Sequence, residues 1–137
     1  GDGSLRMLDL PDLQEVQRFQ WHEKGALCAL FHPSKSVVLS GGKDGLVKAW
    51  RSDGACLLEF AAHKGPVYAI AFDPASRYLA TAGRDALIKL WDATTLEPIR
   101  RSAREKKAHT HSINAMSWVG HTLITASDDR RIHGFSL

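Results

Sequence analysis

Short apolar runs alternate with compact turns along nearly the whole chain. Leu27-Cys28-Ala29-Leu30-Phe31 and Val67-Tyr68-Ala69-Ile70-Ala71-Phe72 are apolar stretches of strand length, each running into an x-Pro pair that cannot continue a central strand. The next runs are Ser36 to Gly41 and Arg77 to Ala82, closed by the turns Gly42-Lys43-Asp44-Gly45 and Gly83-Arg84-Asp85-Ala86. Leu46 to Trp50 and Leu87 to Trp91 then alternate, or nearly so, about a central lysine. A Ser52-Asp53-Gly54 turn leads into a further run, Ala55 to Phe60. Strands at this spacing with turn signals between them predict an all-β protein. No segment sustains an apolar period of 3.6. Leu10 to Phe19 has the most helical look, but the repeat described next places it as a strand.

A shift of 41 residues lays 22–51 on 63–92 without a gap and with eight identities in 30 positions. His22 meets His63, Phe31 meets Phe72, Pro33 meets Pro74 and Gly42 meets Gly83. Asp44 meets Asp85, Leu46 meets Leu87, Lys48 meets Lys89 and Trp50 meets Trp91. A third copy carries His109, Trp118, Thr125 and Asp129, with a longer connection before it. The end of another copy opens the chain, where Asp2 to Asp9 matches Asp44 to Arg51. Such self-similarity marks a repeat architecture. Two strands in the opening part, four in each full unit and three in the last give 13.

The period, the His-to-Trp layout and the run Thr81-Ala82-Gly83-Arg84-Asp85 to Leu90-Trp91-Asp92 resemble WD40 repeats. The resemblance covers essentially the whole chain. It departs from the family pattern where Arg51 follows Trp50, and where Leu8 and Phe135 replace Trp. In texture the chain resembles the C-terminal half of small bacterial seven-bladed members. The resemblance implies a segment of a β-propeller, about 3.3 repeats of four-stranded antiparallel blades. Its expected units are residues 1–20 (two strands of a truncated blade), 21–61, 62–102 and 103–137, the last with three strands. It also implies a hydrogen-bonded tetrad in each blade: His22, Ser40, Asp44 and Trp50, then His63, Thr81, Asp85 and Trp91. The third set is His109, Thr125 and Asp129, where Phe135 has no donor and the network is expected to end at the hydroxyl.

These trios invite comparison with a Ser-His-Asp triad. Recurrence in three copies argues for a structural role, since a reactive constellation is usually assembled once. No G-x-S-x-G elbow or phosphate-binding glycine loop is present. His109-Thr110-His111 lacks a carboxylate or Cys at metal spacing, so no metal or cofactor is expected. His32 is expected to be exposed beside its turn proline. Cys28 and Cys56 are read as two small buried hydrophobes. Composition adds one qualification. The net charge is +3, yet residues 100–107 alone carry +4, and the remaining 129 residues carry −1. The basic pI is local, which disfavours a nucleic-acid face and marks 100–107 as a connecting loop or an anionic-partner patch.

By the same resemblance, two positions per repeat point to the top face where WD40 partners bind: Leu27, Tyr68 and Asn114, and Lys43, Arg84 and Asp128. The expected function is a non-catalytic protein–protein interaction scaffold. One alternative is a ligand-binding or enzymatic propeller using His111, Asn114, Asp128 and Arg130; another is anion binding through 100–107. Trp21 is an aromatic with no assigned role. No apolar run approaches a membrane span, and a cytoplasmic location is expected. Thirteen strands do not close a ring. The expectation is therefore the C-terminal portion of a propeller of about seven blades, or a chain that completes its ring by self-association.

Overall fold

The computed structural model describes residues 4–20, 22–102 and 109–136. Asp2, Trp21 and the part of the basic run from 103 to 107 lie outside the described residues. Among the described residues, thirteen strands form four antiparallel sheets. The first blade holds β1 (Ser4–Asp9) and β2 (Gln14–Gln20). The second holds β3 (Ala26–Phe31), β4 (Val37–Gly42), β5 (Leu46–Arg51) and β6 (Cys56–Ala61) in that spatial order. The third repeats the pattern with β7 (Val67–Phe72), β8 (Tyr78–Gly83), β9 (Ile88–Asp92) and β10 (Pro98–Arg101). The C-terminal blade has β11 (Ile113–Val119), β12 (Thr122–Ser127) and β13 (Ile132–Ser136).

Because side chains alternate across a strand, each blade offers two faces, and both become seams. Leu39, Val47 and Ala49 leave one face of the second blade and meet Val67, Leu79 and Trp91 of the third. The other face, carrying Val38 and Trp50, packs on Leu5 and Met7 of the first. The third blade turns Ala80, Ala82, Ile88 and Leu90 to Ile113 and Leu123 of the C-terminal blade. Full burial of such a side chain stabilises by about 1.5–3 kcal/mol, so the seams hold the fold together. First strands adjoin across the seams, β3 against β7 and β7 against β11.

Three sequence expectations need correction. His32 is buried, at 8% exposure. Its Nε2–H donates to the Ala93 carbonyl at 3.0 Å, and its Nδ1 accepts the Ser34 N–H at 3.2 Å. An edge contact with Phe72 completes its surroundings, so it pins the second blade to the third. Neither cysteine is fully buried: Cys28 is intermediate and Cys56 exposed. Burial nevertheless pushes the Cys28 thiol up to about 11, against a smaller opposing hydrogen bond at Gly41, which leaves it unreactive. Finally, Arg100 and Arg101 lie in β10 rather than in a connecting loop.

Candidate functional site

Two turns at the same end of each blade bring the expected side chains together. Gly42 precedes the acid-bearing turn, and a Cβ there would overlap the His22 ring, so glycine makes room for the imidazole. His22 Nδ1 lies 3.1 and 3.0 Å from the two Asp44 oxygens, and its Nε2 lies 2.7 Å from Ser40 Oγ. Trp50 Nε1–H donates to the same Oγ at 2.8 Å. The third blade repeats this: His63 Nδ1 is 3.0 and 2.9 Å from Asp85, and Nε2 is 2.8 Å from Thr81 Oγ1. Trp91 Nε1–H donates to Thr81 at 2.9 Å. In the C-terminal blade His109 meets Asp129 and Thr125, each at 2.8 Å. Phe135 offers no donor there, and the His133 ring lies 4.6 Å from that of His109.

With the imidazole neutral, counting protons gives the two tryptophan-bearing chains one direction. The indole N–H fills one lone pair of the hydroxyl, and the hydroxyl proton then goes to Nε2 of a neutral imidazole. Nδ1–H is left for the carboxylate. Backbone N–H groups of Leu46 and Leu87 add a donor to Asp44 and Asp85, each at 3.1 Å. Burial alone would raise the Asp85 carboxyl; the His63 hydrogen bond and the other donors more than reverse it, and it lies below its ordinary value. Asp129 is likewise raised by burial and lowered further by His109 and the N–H groups of Thr110 and Arg131, to about 2. Ser40, Thr81 and Thr125 are all 0% exposed. A hydroxyl so enclosed offers no surface to a substrate, which separates these trios from a nucleophilic triad.

A second feature recurs at the same end. The β3–β4 register slips between Ala26 and Cys28, the β7–β8 register between Val67 and Ala69, and the β11–β12 register between Ile113 and Ala115. The unpaired residues are Leu27, Tyr68 and Asn114. A β-bulge re-aims its side chain and terminates pairing locally. Backbone N–H groups of Lys43, Arg84 and Asp128 bond to the carbonyls of Gly25, Pro66 and Ser112 at 2.9, 3.0 and 3.2 Å. Each bulge residue is thereby held beside its partner from the tetrad turn. Lys43, Arg84, Asn114 and Asp128 are exposed, whereas Leu27 and Tyr68 are half-buried. Asn114 donates to Asp128 at 2.6 Å. Of the other polar candidates, His111 pairs with Thr110 at 2.9 Å and its carbonyl accepts from Ser127 at 3.2 Å, and Arg130 occupies a left-handed turn position, φ 66°.

The fold is thus a run of propeller blades, each fastened by an internal polar chain. The family model described as "WD domain, G-beta repeat" matches residues 13–51, 54–92 and 100–135, and the chain belongs to the WD40 family. The crystal structure of the computationally designed Ika4 protein aligns with a TM-score of 0.80, over 99% of this chain and 81% of that one. Identity is 23%, so the likeness concerns the fold. The matched repeats are offset by one strand from the sheets. Residues 13–51 run from β2 through β5, and 54–92 from β6 through β9. Every repeat therefore contributes the outer strand of one blade and the inner three of the next, which ties neighbours covalently.

Sequence reasoning missed two elements. One is the inter-blade bond of His32. The other is a change of charge at the outer rim. Lys48 of β5 faces Glu59 of β6 and forms an ion pair at 3.1 Å. Lys89 of β9 faces Arg101 of β10 instead. The repeat alignment held the signal for Lys48 and Lys89, but the partner strand is one residue out of step and breaks the simple offset.

Proposed function

We propose that this chain is a non-catalytic scaffold segment that meets a protein partner through Leu27, Lys43, Tyr68, Arg84, Asn114 and Asp128. WD40 repeats form interaction propellers in general; the choice of rim rests on one observation. The bulge backbone is repeated three times while its side chains change: Leu, Tyr and Asn at one position, Lys, Arg and Asp at the other. A structural role holds the side chain constant, as in the tetrads. Constant backbone under varied chemistry is what a recognition surface needs, and Tyr and Arg are common binding anchors. The enclosure of all three tetrad hydroxyls supports the non-catalytic reading. The cytoplasmic location is part of the same proposal.

A photo-crosslinker at the exposed Lys43 should capture the partner, whereas one at Thr94, at the other end of the third blade, should not. Tyr68→Ala with Arg84→Ala should abolish capture at an unchanged Tm. Capture that is equal from both ends, or indifferent to the double variant, would sink the rim assignment. A saturable thermal shift from a small metabolite would favour the ligand-binding alternative.

A further inference from the structure

We propose that the upper rim of the seam between the second and third blades binds a phosphate-class oxyanion, held by Lys64, Lys89 and Arg101. These three cations line one cleft of about 200 Å³ together with Asp85 and Leu87. The site adjoins the bulge rim, since Asp85 follows Arg84 and a Cβ at Gly65 would lie 3.7 Å from that of Arg84, but its lining includes none of the six residues assigned to the partner.

The molecule contains its own control. At the corresponding positions, the second blade carries Glu23, Asp44, Leu46, Lys48 and Glu59. Three acids accompany one lysine there, and that lysine is neutralised across the strands by Glu59 at 3.1 Å. In the third blade two of those acids are replaced by cations, Glu23 by Lys64 and Glu59 by Arg101. The single remaining acid, Asp85, already accepts from His63 and the Leu87 N–H. The outer strand of the third blade is shorter and one residue out of step, yet Arg101 still stands opposite Lys89 as Glu59 stands opposite Lys48, so the sign inverts at equivalent pairing positions.

The inversion has a cost that Asp85, the one acid of the cleft, offsets only in part, through its attraction to Lys89. Lys89 and Arg101 are directly opposite in an antiparallel register, so they share a face. Like charges so placed are destabilising. Lys89 Nζ donates to the Ala62 carbonyl, which anchors its charge at the seam without neutralising it. Among the described residues, Lys64, Lys89 and Arg101 form no ion pair, while the equivalent Lys48 does. An anion between them would convert the repulsion into two or three charge-assisted hydrogen bonds. A guanidinium fork with two ammonium groups suits a tetrahedral oxyanion carrying more than one charge. The volume admits such a group, and Leu87 forms the apolar part of its lining.

The test uses the full chain, isotope-labelled and titrated with inorganic phosphate at ionic strength held constant with chloride. Saturable amide shifts are expected at Lys64, Leu87, Lys89 and Arg101, with none at Glu23, Leu46, Lys48 or Glu59. Arg101→Glu recreates the pairing that the second blade already tolerates, so it folds; phosphate affinity should fall by about tenfold or more. The reciprocal Glu23→Lys with Glu59→Arg should create a second responsive cleft. A free phosphate and a phosphorylated side chain share this chemistry, and a phosphoserine peptide run beside inorganic phosphate separates them, the tighter ligand naming the source. Shifts spread evenly over every exposed lysine would overturn the proposal. So would unchanged affinity in Arg101→Glu, or equal binding of a peptide with Glu in place of phosphoserine.

Discussion

The two complete seams of this chain are made from the same parts and closed differently. Between the second and third blades, Trp91 lies against Phe60 with ring centroids 4.5 Å apart, while its indole N–H reaches Thr81. Between the third and C-terminal blades both large groups are smaller. Phe135 stands where Trp91 does, and Ser102, bonded to Ile88, takes the register position of Phe60. The result is a slot of about 160 Å³ lined by Ile88, Leu90, Leu123 and Phe135 among others. Yet His109, Thr125 and Asp129 keep distances of 2.8 Å. The indole is therefore not what seats the histidine. It fills the seam and completes the hydroxyl, and the imidazole–carboxylate pair forms without it.

That division of labour can be broken from either side. The largest effect should come from His63→Ala, which strips Asp85 of its principal donor and leaves Thr81 with a buried unpaired proton. Removing one member of such a pair costs about 3 kcal/mol, and urea unfolding should show it as a lower midpoint with an unchanged slope. Trp91→Phe should cost less, about 2 kcal/mol, through one lost hydrogen bond and a new void beside Phe60. It should leave the His63–Asp85 contact intact, and a crystal structure of the variant showing that imidazole displaced would refute the separation drawn above. The reverse change, Phe135→Trp, should stabilise by about 1 kcal/mol by filling the slot and donating to Thr125. An unchanged or lower Tm would mean that the slot does not accept an indole.

Much of this was legible in the residues. The 41-residue period exposed the blades, because each blade must bury two faces and so repeats its apolar positions. The resemblance to WD40 repeats picked out His22, Ser40 and Asp44, whose counterparts recur in three copies, and Trp50, whose counterpart recurs only in the third blade. Other elements depended on contacts that no period records. His32 looked exposed because its neighbours are a turn proline and serines, but its acceptor, the Ala93 carbonyl, comes from the next blade. The seam slot arises from Phe135 and Ser102 acting together across two sheets. Asn114 and Asp128 were placed on one face by resemblance, and the bulge in β11 shows that they bond to each other.

The smallest effect concerns acid, and it sharpens the comparison of the tetrads themselves. Asp129 lacks a tryptophan behind its threonine, yet its carboxyl is lowered from 3.8 to about 2. Its donors are His109 and the N–H groups of Thr110 and Arg131, where Asp85 has His63 and Leu87. A carboxyl held below its unfolded value binds fewer protons folded than unfolded. Its stabilisation is thus fully present above the unfolded value of 3.8 and lost as pH falls through about 2. Carboxylate carbon shifts followed through an acid titration should show Asp85 protonating before Asp129. Asp129→Asn should make stability less steeply pH-dependent between those two values. If Asp129 instead titrates with the exposed carboxylates, its backbone donors are not engaged, and the C-terminal tetrad is weakened by the missing indole after all.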